Sequence, residues 1–313
     1  MFSFLGRRKQ RRGRVGLTDY ELQPAPKFLF ERRLLDHHRP PETNASGFRA
    51  ILVKGNQPPH SAIRRDEGVI SRHEAPSLTI TSDPGNSIVI AGGSGPDWSV
   101  FFYAEASGQT ENEADQQVRH RSFSISASTV SLSGPTLYEG HNASGELVVD
   151  APRDAGVVVH ASYAATEGRD MAGPVRIAAT HARASVLDTT GQVDATAGVV
   201  DFAGSAGRIT LSAEMEINLK ITAREFDGTL LAWAQRSVRI LVPPEFSTPL
   251  EVMVGSRDHF VCRADLASKV RHRRQGDLHL FTYGINPGDR PGGGLHLRSE
   301  QSTVVIDHAG GKS

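Results

Sequence analysis

Cysteine is almost missing from this sequence: Cys262 stands alone among 313 residues. No disulfide can close within the chain and no thiolate cluster can hold a metal, which fits a reducing compartment. Aromatic residues are scarce, at 6%. No apolar run approaches the length of a membrane span. The opening Met1-Phe2-Ser3-Phe4-Leu5-Gly6 places a few apolar residues ahead of the first charges, whereas a secretory signal has positive charge first and then a longer apolar segment. The expectation from these absences is a cytoplasmic or membrane-peripheral location. Glycine and proline, by contrast, are plentiful, with 31 and 17 copies. That balance favours many short strands joined by frequent turns over long packed helices.

Net charge is zero, from 35 basic and 35 acidic residues, but it is unevenly spread. Residues 1–74 hold 15 Lys or Arg against 8 Asp or Glu, leaving 20 against 27 for the remainder. A basic extension therefore precedes an acidic body. Its densest part is Arg7, Arg8, Lys9, Arg11, Arg12 and Arg14. Three readings fit that cluster: a solvated tail, weak binding to an anionic membrane surface with Phe2, Phe4 and Leu5 dipping into the interface, and contact with nucleic-acid phosphates through charge alone, without sequence recognition.

From Gly173 onward a short phrase recurs, consisting of glycine, one further residue, then an aliphatic residue. It occurs at Gly173-Pro174-Val175, Gly191-Gln192-Val193, Gly207-Arg208-Ile209 and Gly228-Thr229-Leu230, with steps of 18, 16 and 21 residues. A period near 20 is a repeat signal. Within the units apolar and polar residues alternate, as in Met215, Ile217, Leu219 and Ile221 between Glu214, Glu216, Asn218 and Lys220, the mark of half-buried strands. Each unit has room for two strands and two turns, the content of one rung of a coil. Rungs stacked at roughly 4.8 Å would close a continuous aliphatic core, with glycines at corners that need positive φ. An antiparallel sandwich with irregular chance spacing is the other reading of the same residues.

Before the repeats, residues 27–38 suggest a short helix and the polar text from Pro40 to Pro76 reads as a connection. Order is expected to start near Leu78, with strands at 78–81, 87–90 and 99–104, a helix over 111–121, and strands at 123–126 and 130–132. Gly92-Gly93-Ser94-Gly95 is no phosphate loop, since a strand follows it and no Lys-Ser or Lys-Thr does. After Pro243-Pro244 come a strand at 250–254, an ambiguous stretch from Phe260 to Val270, a short basic patch from Arg271 to Arg274, and a glycine-proline loop over 284–294.

Thirteen histidines raise the question of metal or acid-base chemistry, but their spacing gives no ligand set. His272 and His279 lie seven apart, and Asp258 with His259 is an adjacent pair whose side chains would diverge on a strand. A coil of rungs can carry carboxylates in register for cation binding or glycoside chemistry. The residues three beyond each repeat glycine are Arg176, Asp194, Thr210 and Leu231, so no carboxylate column forms. No catalytic, cofactor or metal residue is expected.

The order of strand, glycine turn, strand and short charged helix, then Glu146-Leu147-Val148-Val149-Asp150-Ala151-Pro152 and the glycine-aliphatic ladder, resembles a bacterial adhesin-like family of unknown function. The likeness runs over about residues 77–308 and includes Leu295-His296-Leu297-Arg298-Ser299 and Val304-Val305-Ile306 as a closing rung. It implies an all-β parallel solenoid with one short helix, preceded by an irregular extension (1–76) and followed by a short tail (309–313). It also implies a non-enzymatic interaction or scaffold role, with a protein or cell-envelope partner or self-association through the solenoid ends. A carbohydrate-active β-helix enzyme is the alternative. The chain departs from the family in its opening residues, which lack an export signal, and at Gln301-Ser302-Thr303, where a glycine turn is expected.

Overall fold

A computed structural model describes residues 60–134, 143–285, 293–299, 301 and 303–309. The chain opens with strands β1 (His60–Ile70), β2 (Ser77–Ser82), β3 (Asn86–Gly93) and β4 (Trp98–Gly108), followed by helix α1 (Glu111–Arg119). β5 (Ser122–Ser126), β6 (Thr129–Ser133), β7 (Ala143–Pro152), β8 (Gly156–Ser162) and β9 (Ala165–Arg169) lead to three long strands, β10 (Val175–Leu187), β11 (Gln192–Gly204) and β12 (Ala206–Ile221). β13 (Asp227–Ala234), β14 (Ser237–Val242), β15 (Leu250–Val254), β16 (Phe260–Cys262), β17 (Arg271–Gln275), β18 (Leu278–Tyr283), β19 (Gly294–Ser299) and β20 (Val304–His308) complete the set. The expectation of a mostly β fold with one short helix holds for the described residues. The sheet is mixed rather than parallel throughout, because β1–β4, β4–β7, β5–β6, β15–β18 and β17–β18 are antiparallel pairs.

The parallel part forms two ladders. One runs β6–β2–β8–β10–β11–β12–β13–β19–β15. The other runs β7–β3–β9–β10–β11–β12–β14–β20–β16. β10, β11 and β12 are long enough to belong to both, crossing between them at register shifts after Ala179 and Ala197. These shifts absorb the unequal steps seen in the sequence. In the first ladder the aliphatic residues of the repeats are exact lateral neighbours: Val175, Val193, Ile209 and Leu230 share one column, which Leu295 and Leu250 extend. A second column holds Ile80, Val159, Ile177, Ala195, Leu211, Ala232, Leu297 and Val252. All of these are buried and belong to one apolar cluster. Each fully buried aliphatic side chain contributes about 1.5–3 kcal/mol.

The repeat glycines also form a column, and two of the four, Gly173 and Gly191, are there for space rather than conformation. Only Gly207 (φ 121°) and Gly228 (φ 134°) have positive φ, so the expectation of positive φ at every corner fails at Gly173 and Gly191. A Cβ on Gly173 would sit 2.2 Å from the Ala155 carbonyl oxygen, and one on Gly191 would sit 2.4 Å from both the Ala172 and Gly173 oxygens. Gly228 meets the Gly207 oxygen at 2.1 Å in the same way. Backbones of successive levels therefore touch at this corner, and a methyl group would wedge them apart.

Both ends of the ladders are built out of sequence order. β2 and β3, the earlier pair in the chain, lie between β6/β7 and β8/β9. β19 and β20, the last pair, lie between β13/β14 and β15/β16. Residues 295–306 were expected to close the ladder, whereas β15 and β16 occupy that outer position. The insertion gives β2, β3, β19 and β20 a strand on each side, so both edges of each are hydrogen-bonded.

At the amino-terminal end, α1 packs on β1 and β4. The Thr110 hydroxyl accepts a hydrogen bond from the Glu113 amide at 3.2 Å, and the Glu113 carboxylate accepts one from the Gln109 amide at 2.8 Å. This reciprocal cap and the acidic first turn fix where the helix starts. Ala114, Gln117 and Val118 are its buried face. Behind it, the fully buried Arg121 donates to the carbonyls of Pro84 (3.0 Å) and Ala143 (2.5 Å). Burial pulls the Arg121 pKa down, and Asp83 opposes that shift. Arg64 pairs with Asp66 at 2.7 Å and donates to the Arg121 carbonyl.

Three sequence expectations change here. β1 lies within the stretch read as a connection and pairs along its whole length with β4, because its alternation is broken by Arg64 and Asp66, polar residues that face inward to each other. Met215 was assigned to the buried face of β12 and is 42% exposed, since the strand turns a corner at Glu214 and Met215, both of which are exposed. Asp258 and His259 stand in a 3-10 turn, Arg257–His259, not on a strand. The helix suggested at 27–38 and most of the loop at 284–294 fall outside the described residues.

The β1–β4 register predicts that a protease-resistant fragment begins at or just before His60. Mass spectrometry of limited digests checks this, and a stable product starting near Ser77 would show β1 to be dispensable.

Candidate interaction surface

The basic cluster Arg7, Arg8, Lys9, Arg11, Arg12 and Arg14 lies outside the described residues. Within them, charge is handled differently along the ladders and at their carboxy-terminal end. On the outward faces, arginines stand beside carboxylates in neighbouring strands: Arg176 meets Asp194 at 3.1 Å and Arg183 meets Asp201 at 2.8 Å. Asp201 also accepts from Asn218 at 3.0 Å. Arg239 and Arg263 both approach Asp307. The column expected from the repeat spacing is present as Arg176, Asp194, Thr210 and Leu231, and it continues into His296 and Glu251. No two carboxylates are neighbours in it. Leu231 and Trp233 lie outward on β13, 44% and 37% exposed.

The end hairpin breaks this pattern. β17 and β18 are joined by a tight turn in which Gly276 has φ 64°, a left-handed conformation that suits glycine. β18 is paired with β15 on its other side, whereas β17 is paired with β18 alone among the described residues. All five residues of β17, Arg271, His272, Arg273, Arg274 and Gln275, are exposed. The antiparallel register sets Arg271 opposite Thr282 and Arg273 opposite Leu280, with His272 opposite Phe281 and Arg274 opposite His279. Strand alternation therefore puts Arg271 and Arg273 on one face and His272 and Arg274 on the other. Among the described residues no ion pair joins Arg257, Arg271, Arg273 or Arg274 to a carboxylate, in contrast to Arg176, Arg183, Arg239 and Arg263.

The hairpin also brings together two histidines that are seven apart in sequence. His272 Nε2 and His279 Nδ1 are 3.0 Å apart, and the rings stack at 5.2 Å with a 7° tilt. His272 also stacks on Phe281, which stacks in turn on Phe260 of β16. Desolvation pulls the His272 pKa down, and the Arg257 and His279 charges add to that. The contact needs one ring nitrogen to remain an unprotonated acceptor. The sequence signal that could have found the pair is Gln275-Gly276-Asp277, a turn that folds 271–275 back on 278–283. No set of three or more His, Cys, Asp or Glu side chains among the described residues is placed to hold a metal. Cys262 is half-buried on β16, and burial raises its thiol pKa.

No protein-family model matches the chain, and no curated protein is significantly similar to it. Among solved structures, a putative cell adhesion protein from Clostridium sporogenes aligns over 78% of this chain and 98% of its own, at 9% identity and a TM-score of 0.28. A putative adhesin from Bacteroides fragilis aligns over 82% of this chain and all of its own, at 11% identity and a TM-score of 0.29. Scores at this level do not establish a shared fold.

Proposed function

We propose that the chain is a non-enzymatic β-solenoid that serves as an interaction or scaffold protein, in the manner implied by its sequence resemblance to adhesin-like proteins. The observation that carries this reading is the aliphatic column from Ile80 to Val252, eight strands long in unbroken parallel register. Stacked levels of this kind give a long, stiff body whose surface grows with every added level, the property that extended binding scaffolds use. Its outward faces are lined by mixed polar and paired charged residues, and its ends carry α1 on one side and the basic hairpin on the other. Fold alone assigns no chemistry. The basic amino-terminal cluster adds a second contact of low specificity with an anionic surface.

Fractionation of native cells into cytosol, membrane and medium, with native sizing of each fraction, tests the proposal. The expected result is a discrete species heavier than the single chain in at least one fraction. A free monomer in every fraction, or turnover of a polysaccharide by the purified chain, would overturn it.

A further inference from the structure

We infer that the edge of β17 left unpaired among the described residues receives an extended acidic peptide segment of a partner protein as an added strand. This rests on the reading of the chain as an interaction protein and names the chemistry of one partner. A strand paired on one side offers a row of unpaired backbone N–H and C=O groups on the other, the template for strand addition. Here that edge belongs to the β17–β18 hairpin at the carboxy-terminal end of the first ladder, and every residue on it is exposed.

Charge selects the occupant. The chain beyond residue 74 carries 20 basic against 27 acidic residues, and the cations on its outward ladder faces named above have carboxylates beside them. On β17, four consecutive cationic or ionisable residues, Arg271, His272, Arg273 and Arg274, have no such neighbour among the described residues. An edge of this sign repels a second β17 edge, which is how cationic edge strands prevent self-pairing. The same edge attracts a strand of opposite sign, because cross-strand pairs of opposite charge are favourable and like pairs are not.

Geometry then separates a peptide strand from other polyanions. Arg271 and Arg273 project from one face of the sheet, while His272 and Arg274 project from the other. A strand added in the plane of the sheet has side chains on both faces too, so successive acidic residues would meet cations above and below it. A bilayer is flat and would engage one face. A duplex would likewise draw on one face and not on the backbone groups of the edge. Arg257, close enough to affect the His272 imidazole, adds a further cation at this end.

The test uses the full chain and a fluorescent peptide of repeating Glu-Glu-Val, ten residues long, which places Glu side chains on both faces of an added strand. Its comparators are a peptide of the same sequence with every backbone amide N-methylated, which keeps the charge but has no N–H to donate along a strand edge, a DNA duplex and anionic phosphatidylserine vesicles. The unmodified peptide is expected to bind at least tenfold more tightly than the N-methylated one. The double variant Arg273→Glu/Arg274→Glu should weaken it at least tenfold. Both positions are exposed, and an unchanged Tm confirms that the variant folds. Arg176→Glu, on the ladder face, should leave binding unchanged. Equal binding of the two peptides, duplex or vesicle binding that is tighter and is lost in the double variant, or no loss of peptide binding in the double variant would overturn the inference. If no peptide binds while native fractionation still shows a complex, the β17 edge is retired and the scaffold reading stands. A monomer in every fraction retires the scaffold reading itself.

Discussion

Gly191→Ala is expected to destabilise the chain by about 3 kcal/mol or more, although it adds only one methyl group. The new Cβ would sit 2.4 Å from the carbonyl oxygens of Ala172 and Gly173, and both of those atoms are backbone. A flexible side chain could swing away from such a contact, but a paired strand cannot. Relief requires β10 and β11 to separate at this corner, which strains the ladder hydrogen bonds on either side. Gly95→Ala is the matched control, because its added Cβ meets nothing nearer than the Asp97 oxygen at 3.8 Å. A change within about 0.5 kcal/mol is expected there. Urea midpoints read by circular dichroism compare the two variants, and similar midpoints would mean that the levels are looser than the glycine column requires.

The second large effect is expected from Ile217→Asp. Ile217 is fully buried on β12, with Val200 and Val238 as lateral neighbours in the second ladder. An aspartate there has no cation or donor within the apolar column, so the carboxylate either stays charged without a partner or takes up a proton. The expected cost is about 4 kcal/mol or more. The adjacent Glu216 faces outward and is only half-buried, beside Val199 and Ser237, and Glu216→Lys should change stability by less than about 1 kcal/mol. Equal losses from the two substitutions would show that β12 is out of this register.

Much of this arrangement was legible in the residues. Period-two alternation marked Ile217, Leu219 and Ile221 as a buried face because side-chain direction on a strand is fixed by parity. The glycine-aliphatic phrase picked out Val175, Val193, Ile209 and Leu230, and they prove to be lateral neighbours. The stretch 111–121 was readable as a helix, and α1 occupies Glu111–Arg119 of it. Met215 shows the limit of parity: it keeps the phase of its neighbours and is still exposed, because a corner changes which way a side chain faces. The need for Gly173 and Gly191 was legible, but not its cause, since close approach of two backbones leaves no trace in local sequence. The expected site fared differently from the fold. Arg7 to Arg14 lie outside the described residues, whereas Arg271 to Arg274, read only as a patch, form an exposed sheet edge, and His272 and His279 are neighbours across a hairpin.

The sequence by itself determined what is local: where strands run, which face of each is apolar, where the helix begins, and how charge divides between the extension and the body. Only the tertiary structure decided the order of the strands. β2 and β3 slip between later strands at one end, and β19 and β20 slip between earlier ones at the other. An aliphatic strand packs on any aliphatic neighbour of matching phase, so pattern alone leaves that order open. Lateral hydrogen bonding and backbone clearance select among the orders, and both depend on residues far apart in the chain. Among the described residues, the same selection left β17 with one side unpaired.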